Sequence, residues 1–226
     1  QIAGVIFETF QGGSAAFMPK EYAKKLRQWC DKHDVVLILD EVQAGFGRTG
    51  KMFGFEHYDI VPDLITCGKA TTSSLPLSIV LGKSKIMNIT DPVSSTHTGN
   101  PVCVAAAMAN IETIIKDKLT ENAAKVGAHF KKELEKIKDE YPDIVGSVDG
   151  EGLVFGMSIT EKGSKNPDGL LAFNIVRTCV EKGVMMFSPV GTGGATIKIC
   201  PPLMITKEAV DDGVSALREA FKESLS

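Results

Sequence analysis

No run in this 226-residue chain approaches the roughly 20 consecutive apolar residues that a helix needs to span a bilayer. The N-terminus also lacks the basic-then-apolar layout of a secretory leader, so a cytoplasmic protein is expected. Positive charge is not in excess. The 25 basic and 28 acidic residues give a formal net charge of −3 and are scattered along the chain. With no basic stripe to follow a phosphate backbone or an anionic bilayer, nucleic acid and membrane surfaces are excluded as partners. Cysteine is sparse: Cys30, Cys67, Cys103, Cys179 and Cys200 are odd in number, never spaced C-x-x-C, and set among apolar residues. That pattern points to buried free thiols rather than disulfides or zinc. The histidines His33, His57 and His129 suggest no metal cluster either.

What is present is ordinary for a soluble globular protein: 43% hydrophobic and 23% charged residues, enough for one large or two small domains. Ile2–Phe7 reads as a buried strand. Pro19 then opens a helix with Tyr22, Leu26, Trp29 and Cys30 on one face, ended by His33 and Asp34. Val35–Leu39 is a continuous aliphatic run of the kind buried on both faces of a parallel sheet, so these elements form a βαβ unit. Leu64–Thr66 and Leu77–Leu81 read as further strands. The stretch Gln43–His57, with Gly45, Gly47, Gly50 and Gly54, reads as a long functional loop. From Pro101 an Ala-rich run and then Leu119, Ala123, Val126, Phe130, Leu134 and Ile137 at three- and four-residue steps predict a long amphipathic helix stopped by Pro142. Beyond it, Val145–Val148 and Leu153–Ile159 read as strands and Leu170–Lys182 as a helix closed by Gly183. Val184–Phe187 and Ala195–Ile199 read as strands, with Gly191–Gly194 a turn before the second, and Val210, Val214, Leu217 and Phe221 line a last helix.

In parallel sheets, ligands bind beyond the carboxyl ends of the strands, and Asp40 and Lys69 each sit just past an apolar run. A lone lysine after a strand is ordinarily a solvated surface residue, and Asp40 alone reads equally as a carboxylate closing its strand or pairing with Arg48. Together they have a second meaning. The acid can grip a heterocyclic nitrogen, and the amine, set beside the small residues Ala70–Ser74, can form a Schiff base with an aldehyde.

The motifs Leu39-Asp40-Glu41-Val42-Gln43-x-Gly45-x-Gly47-Arg48-Thr49-Gly50, Pro62-Asp63-Leu64, Gly68-Lys69-Ala70 and Ser95-Thr96-His97-Thr98-Gly99-Asn100-Pro101 follow in that order, with Lys69 placed 29 residues after Asp40. In order and spacing the chain resembles the class III, or ω-amino-acid, aminotransferases, which use pyridoxal 5'-phosphate. The resemblance implies an α/β chain of fold-type I. Part of the large domain, a mostly parallel sheet with flanking helices, would cover residues 1–110, and a C-terminal α+β small domain would cover 111–226. It makes Lys69 the Schiff-base lysine and Asp40 the partner of the pyridine nitrogen. Val42 would pack on the ring, Gln43 would bond the ring's phenolic oxygen, and Thr96 would bind the cofactor phosphate of the neighbouring subunit. A homodimer with shared sites follows, acting on a small-molecule amino donor and a 2-oxo acid. His97 is either a site contact or a loop histidine.

Two departures from the family pattern bear on the substrate. Many members carry an arginine before Pro-Pro-Leu to fork a carboxylate. Here Lys198 stands in that place, giving a charged hydrogen bond of roughly 1.5 to 3 kcal/mol without the fork. Members with two kinds of substrate often show Q-G-E-x-G, whereas this chain has Gln11-Gly12-Gly13-Ser14, which leaves Glu8 as the acid at the substrate by family position. The chain opens at Gln1 and runs at once into a strand, and the resemblance covers about the second half of a family member. A piece of something longer is therefore expected, without the helix N-terminus that holds the cofactor phosphate or the aromatic that stacks on its ring. An amino-acid racemase or epimerase on the same scaffold, or an inactive fragment serving as an assembly module, are the alternatives.

Overall fold

The computed structural model describes residues 2–88 and 96–226. Two compact units emerge. The first comprises the chain up to Phe10 together with Met18–Thr120, and the second comprises Gln11–Phe17 with Glu121–Ser226.

In the first unit, strand β1 (Gly4–Glu8) leads to helix α1 (Lys20–His33), β2 (Val36–Asp40), β3 (Leu64–Cys67), β4 (Ile79–Gly82), the short α2 (Ser84–Met87) and α3 (Pro101–Lys116). Among the described residues its sheet has the order β1-β2-β3-β4. The first two pairings are parallel and the last is antiparallel, as expected of a mostly parallel sheet. Leu37 and Leu39 are fully buried, as the aliphatic run of β2 predicts. Helix α1 ends where Asp34 enters the left-handed region at φ 52° and Val35 N–H donates to the Cys30 carbonyl at 2.9 Å. Its buried stripe departs from the expected face. Ala23 and Cys30 are covered, while Tyr22 is 50% and Trp29 40% exposed. The large rings lie at the rim of the packed stripe, where Trp29 meets His33 with ring centroids 4.8 Å apart and planes tilted by 36°.

At the amino end of β3, Asp63 ties three elements together. Its Oδ2 accepts from Arg27 Nη1 of α1 and from Leu37 N–H of β2, each at 2.8 Å, and its Oδ1 accepts from Lys83 Nζ just past β4 at 2.5 Å. Burial opposes this charge, but the bonds from Lys83, Leu37 and Arg27 outweigh it and hold the carboxyl down at about 2.

The second unit contains α4 (Leu119–Glu140), β5 (Val145–Glu151), β6 (Val154–Ile159), α5 (Gly169–Glu181), β7 (Thr196–Ile199) and α6 (Lys207–Ser224). Its antiparallel sheet runs β5-β6-β7. Phe155, Met157 and Ile159 of β6 meet Phe130, Leu134 and Ile137 of α4, Ile175 and Cys179 of α5, and Val214 and Phe221 of α6 in one core. Burying each such large side chain stabilises by about 1.5 to 3 kcal/mol. The segment Gln11–Phe17 belongs here because it lies flat on the sheet. A Cβ on Gly156 would fall 2.1 Å from the Ser14 carbonyl oxygen, so only glycine permits the approach.

Three expectations are corrected. The strand at Ile2–Phe7 forms as β1 but is not buried: Ile6 and Phe7 are exposed, because β1 has a neighbour on one side only among the described residues. The long helix from Pro101 is two helices, α3 and α4, broken where Lys118 takes φ 51°. Val184–Phe187 is not a strand. Val184 and Met186 pack on the core while Met185 is 95% and Phe187 62% exposed, so the alternation is real. Alternation signals a covered face, but a strand also needs a neighbour for its backbone, and the segment joins no ladder among the described residues. No helix among the described residues is long and apolar enough to cross a membrane.

The Asp63 clamp yields a prediction for chemical unfolding of the chain. Asp63→Ala should lose about 2 kcal/mol at neutral pH, because it leaves the buried Leu37 N–H without its acceptor and leaves Arg27 with Asp31 as its remaining ion partner. With its folded value at about 2 against an ordinary 3.8, the clamp stabilises fully above the ordinary value and is lost as pH falls from there through 2. Urea midpoints of wild type and Asp63→Asn should therefore converge over that interval; a gap that stays constant would remove the clamp from the account.

Candidate functional site

Strand β2 delivers Asp40 to the carboxyl edge of the first unit's sheet, in register with Glu8 of β1 on one side and Thr66 of β3 on the other. Residues in register point to the same face, so Glu8, Asp40 and Thr66 form a row along that edge. The chain then turns at once. Glu41 N–H donates to the Thr66 carbonyl at 2.8 Å, and Val42 N–H donates to Asp40 Oδ1 at 2.8 Å. One carboxylate oxygen of Asp40 is thus fixed by its own backbone, while Oδ2 makes no hydrogen bond among the described residues.

Val42 links this turn to the lysine. Gly68 is extended, and a Cβ there would stand 3.3 Å from Val42 Cγ1, so the valine occupies the space a larger residue would fill. Immediately afterwards Lys69 adopts φ 39°, a left-handed conformation that costs a non-glycine residue about 1 to 3 kcal/mol. A single turn of 3-10 helix, Lys69–Thr71, follows. Thr71 N–H and Oγ1 both donate to the Gly68 carbonyl, at 2.9 and 3.0 Å. From α3, Asn110 Nδ2 donates to the carbonyls of Ala70 at 2.6 Å and Thr71 at 3.3 Å. The Lys69 side chain is exposed and has no ion pair among the described residues. Two residues before it, burial pushes the Cys67 thiol up to about 11, so this sulfur stays protonated within the sheet.

The sheet edge therefore gathers Glu8, Asp40, Val42 and Lys69. Gln43 lies half-buried in the turn beyond Val42, and Thr96 is exposed at the start of the turn that precedes α3. There Asn100 caps the helix by accepting from Val102 N–H at 2.9 Å, with Pro101 in the first helical position. Ser95 of the same motif lies outside the described residues. Lys198 belongs to the second unit, where it is buried on β7 and its Nζ donates to the Gly12 carbonyl. Among the described residues no three His, Cys, Asp or Glu side chains are grouped to hold a metal ion.

Glu41 is a site residue that the motif reading passed over. It is fully buried, and its Oε1 accepts from Thr9 Oγ1 at 2.7 Å and Phe55 N–H at 2.8 Å, while Oε2 accepts from Gly54 N–H at 2.8 Å. Burial raises its pKa, and the bonds from Thr9, Gly54 and Phe55 oppose that rise. The signal was available in the two-residue period of β2: Leu37, Leu39 and Glu41 fall on one buried side and Asp40 on the other. Asn110 left no comparable trace, since its role depends on where α3 passes.

Residues 1–221 match the profile of the family described as Aminotransferase class-III. The 5-aminovalerate aminotransferase DavT of Pseudomonas putida is 37% identical over 225 residues, which is 98% of this chain and 52% of that protein. A leucine/methionine racemase of Thermococcus litoralis is 36% identical over 226 residues, covering 98% of this chain and 50% of that protein. Among solved structures, an S-selective transaminase from Arthrobacter sp. with alanine bound superimposes with a TM-score of 0.89 at 32% identity, over 99% of this chain and 51% of that one. The chain spans about half the length of the relatives it matches.

Glu41 should be costly to replace. Glu41→Ala strands three donors in a dry site and should lower the unfolding free energy by about 3 kcal/mol. Glu41→Gln should not restore it, because one of the two bonded oxygens becomes an NH2 group facing a donor. Amide exchange at Gly54 and Phe55 should quicken in both variants, and a wild-type exchange pattern would contradict the assignment.

Proposed function

The chain belongs to the class III aminotransferases, a pyridoxal 5'-phosphate-dependent family of fold-type I, and on that premise we propose that the protein moves an amino group from an ω-amino acid, amine or diamine to a 2-oxo acid. The donor is 4-aminobutyrate-like, with its amine remote from any carboxylate, as in the 5-aminovalerate that names one relative. The observation that carries this reading is the placement of Asp40 and Lys69 at the carboxyl ends of adjacent parallel strands, the amine without an ion partner and the acid with Oδ2 uncommitted.

The residues present fit the cofactor. Asp40 offers an acceptor that its own turn already orients, Lys69 an accessible amine, and Val42 an apolar wall between them. When bound, pyridoxal phosphate supplies an aldehyde for the lysine and a cationic ring that withdraws electrons from the substrate carbon losing its proton. Lys69 Nζ would hold that aldehyde covalently and, when free, would be the base that moves the substrate's proton. Asp40 Oδ2 holds the proton on the ring nitrogen, because a nearby carboxylate favours the charged form of a base. Val42 would pack on the ring, Gln43 would bond its phenolic oxygen, and Thr96 would serve the phosphate of the neighbouring subunit, which makes a homodimer part of the reading. Lys198 and Glu8 are the proposed substrate contacts, Lys198 as a cation for a carboxylate. The five free thiols agree with a cytoplasmic setting.

A racemase is the second reading, favoured by the leucine/methionine racemase at 36% identity. It would use the same lysine and return the proton to the opposite face.

The test uses full-length protein. Borohydride reduction after incubation with pyridoxal phosphate should leave the label on the peptide containing Lys69, and Lys69→Ala should abolish it. Candidate amines with pyruvate or 2-oxoglutarate should yield a new amino acid, at a rate that Asp40→Asn lowers by about 100-fold or more. Inversion of an amino acid without transfer would replace the first reading by the second, and absence of label on Lys69 would end both.

A further inference from the structure

Lys69 holds a backbone conformation that its side chain disfavours, so something around it must make that turn the better choice. Within its own strand, Gly68 and Thr71 close the turn, but they act only on the Gly68 carbonyl. The carbonyls of Ala70 and Thr71 both receive the amide of Asn110, forty and thirty-nine residues further along the chain. Asn110 is half-buried in the body of α3, four residues before the buried Ile114 and three after the buried Ala107. Its position is therefore set by helix packing and not by the loop it touches. A rigid element thus braces a strained one.

We infer that Asn110 is a positioning residue for Lys69: its amide, bonded to the Ala70 and Thr71 carbonyls, fixes the left-handed turn that aims the lysine amine. This rests on the reading of Lys69 as the cofactor lysine. The chemical reason is directional. The Cα–Cβ bond of Lys69 leaves the backbone in a direction set by φ, so relaxing that turn toward negative φ swings the whole side chain. An amine that must first carry the cofactor and then shuttle a proton needs one starting direction for both tasks. Thr71 cannot supply it alone, because both of its bonds end on the one carbonyl of Gly68 and leave those of Ala70 and Thr71 to Asn110. A leucine at position 110 would keep the volume and lose the donor. An aspartate would keep the shape and place an acceptor against two carbonyl oxygens.

Full-length Asn110→Leu and Asn110→Asp are compared with wild type, both variants serving in case one unfolds. In cofactor-free protein, hydrogen exchange of the peptide spanning residues 64–75 should rise about tenfold, the factor expected for one lost hydrogen bond, while exchange elsewhere in the first unit stays as it was. In protein loaded with pyridoxal phosphate, the pH midpoint of the visible absorbance of the Lys69 adduct should move by about half a pH unit or more, a threefold change in proton affinity. Unchanged exchange in a folded variant overturns the brace. Faster exchange with an unmoved midpoint overturns the link to the lysine's chemistry and leaves a merely structural contact. If wild-type protein forms no adduct on Lys69 at all, the functional reading itself fails and takes this inference with it.

Discussion

The buried carboxylate of Glu41 is the interaction on which the carboxyl edge of the first unit depends. It collects one donor from the residue after β1 and two from the loop that returns at Gly54 and Phe55, in a place from which water is absent. Each bond is strong because the acceptor is charged and the surroundings are dry, and for the same reason none can be given up cheaply. Since Glu41 lies between Asp40 and Val42, fixing its side chain fixes the turn in which both of its neighbours stand. The half-buried Asp40 and the apolar wall thus take their positions from a residue that faces the other way.

The lysine side of the edge is organised differently. Among the described residues no buried charge holds it, and its order comes from bonds to its backbone carbonyls. Gly68 lets Val42 approach, Thr71 closes the turn from within, and Asn110 closes it from α3. A charged clamp on one strand and a web of neutral bonds on the next leave two functional groups, Asp40 Oδ2 and Lys69 Nζ, uncommitted among the described residues. That distribution suits a site in which a ligand, and not the protein, is to complete the polar network, because groups already satisfied by protein partners would have to be released first.

Within the second unit the same economy appears in a different form. The Gln11–Phe17 excursion is accepted onto the β6–β7 face because Gly156 presents no side chain, and Lys198 reaches from that face to the Gly12 carbonyl. A buried ammonium needs acceptors, and a backbone carbonyl provides one that cannot rotate away as a side chain does. Val184–Phe187 marks the limit of reading such surfaces by period alone: its alternation describes which residues are covered, whereas strand pairing depends on what lies alongside.

Much of the fold and part of the site were legible in the amino-acid order. The aliphatic run of β2 announced the strand and its buried Leu37 and Leu39 face, although Val36 and Ile38 on the other face are only half-buried, the three- and four-residue steps of α4 announced its buried stripe, and the two apolar runs announced that Asp40 and Lys69 stand at the same edge of the sheet. These features are local or periodic, and short-range sterics and hydrophobic burial act on them wherever the chain goes. Glu41 was half legible, since the period of β2 gave its side but not its partners. The exposure of Tyr22 and Trp29, the break at Lys118, the left-handed turn at Lys69 and the reach of Asn110 were decided only by tertiary structure. Each is the outcome of a contact between residues far apart in sequence or of a backbone conformation that such contacts stabilise. The amino-acid order by itself determined that Asp40 and Lys69 follow two neighbouring apolar strands; the packing of α3 and the loop around Glu41 decided how those groups are held, because direction in space is a property of neighbours and not of spacing.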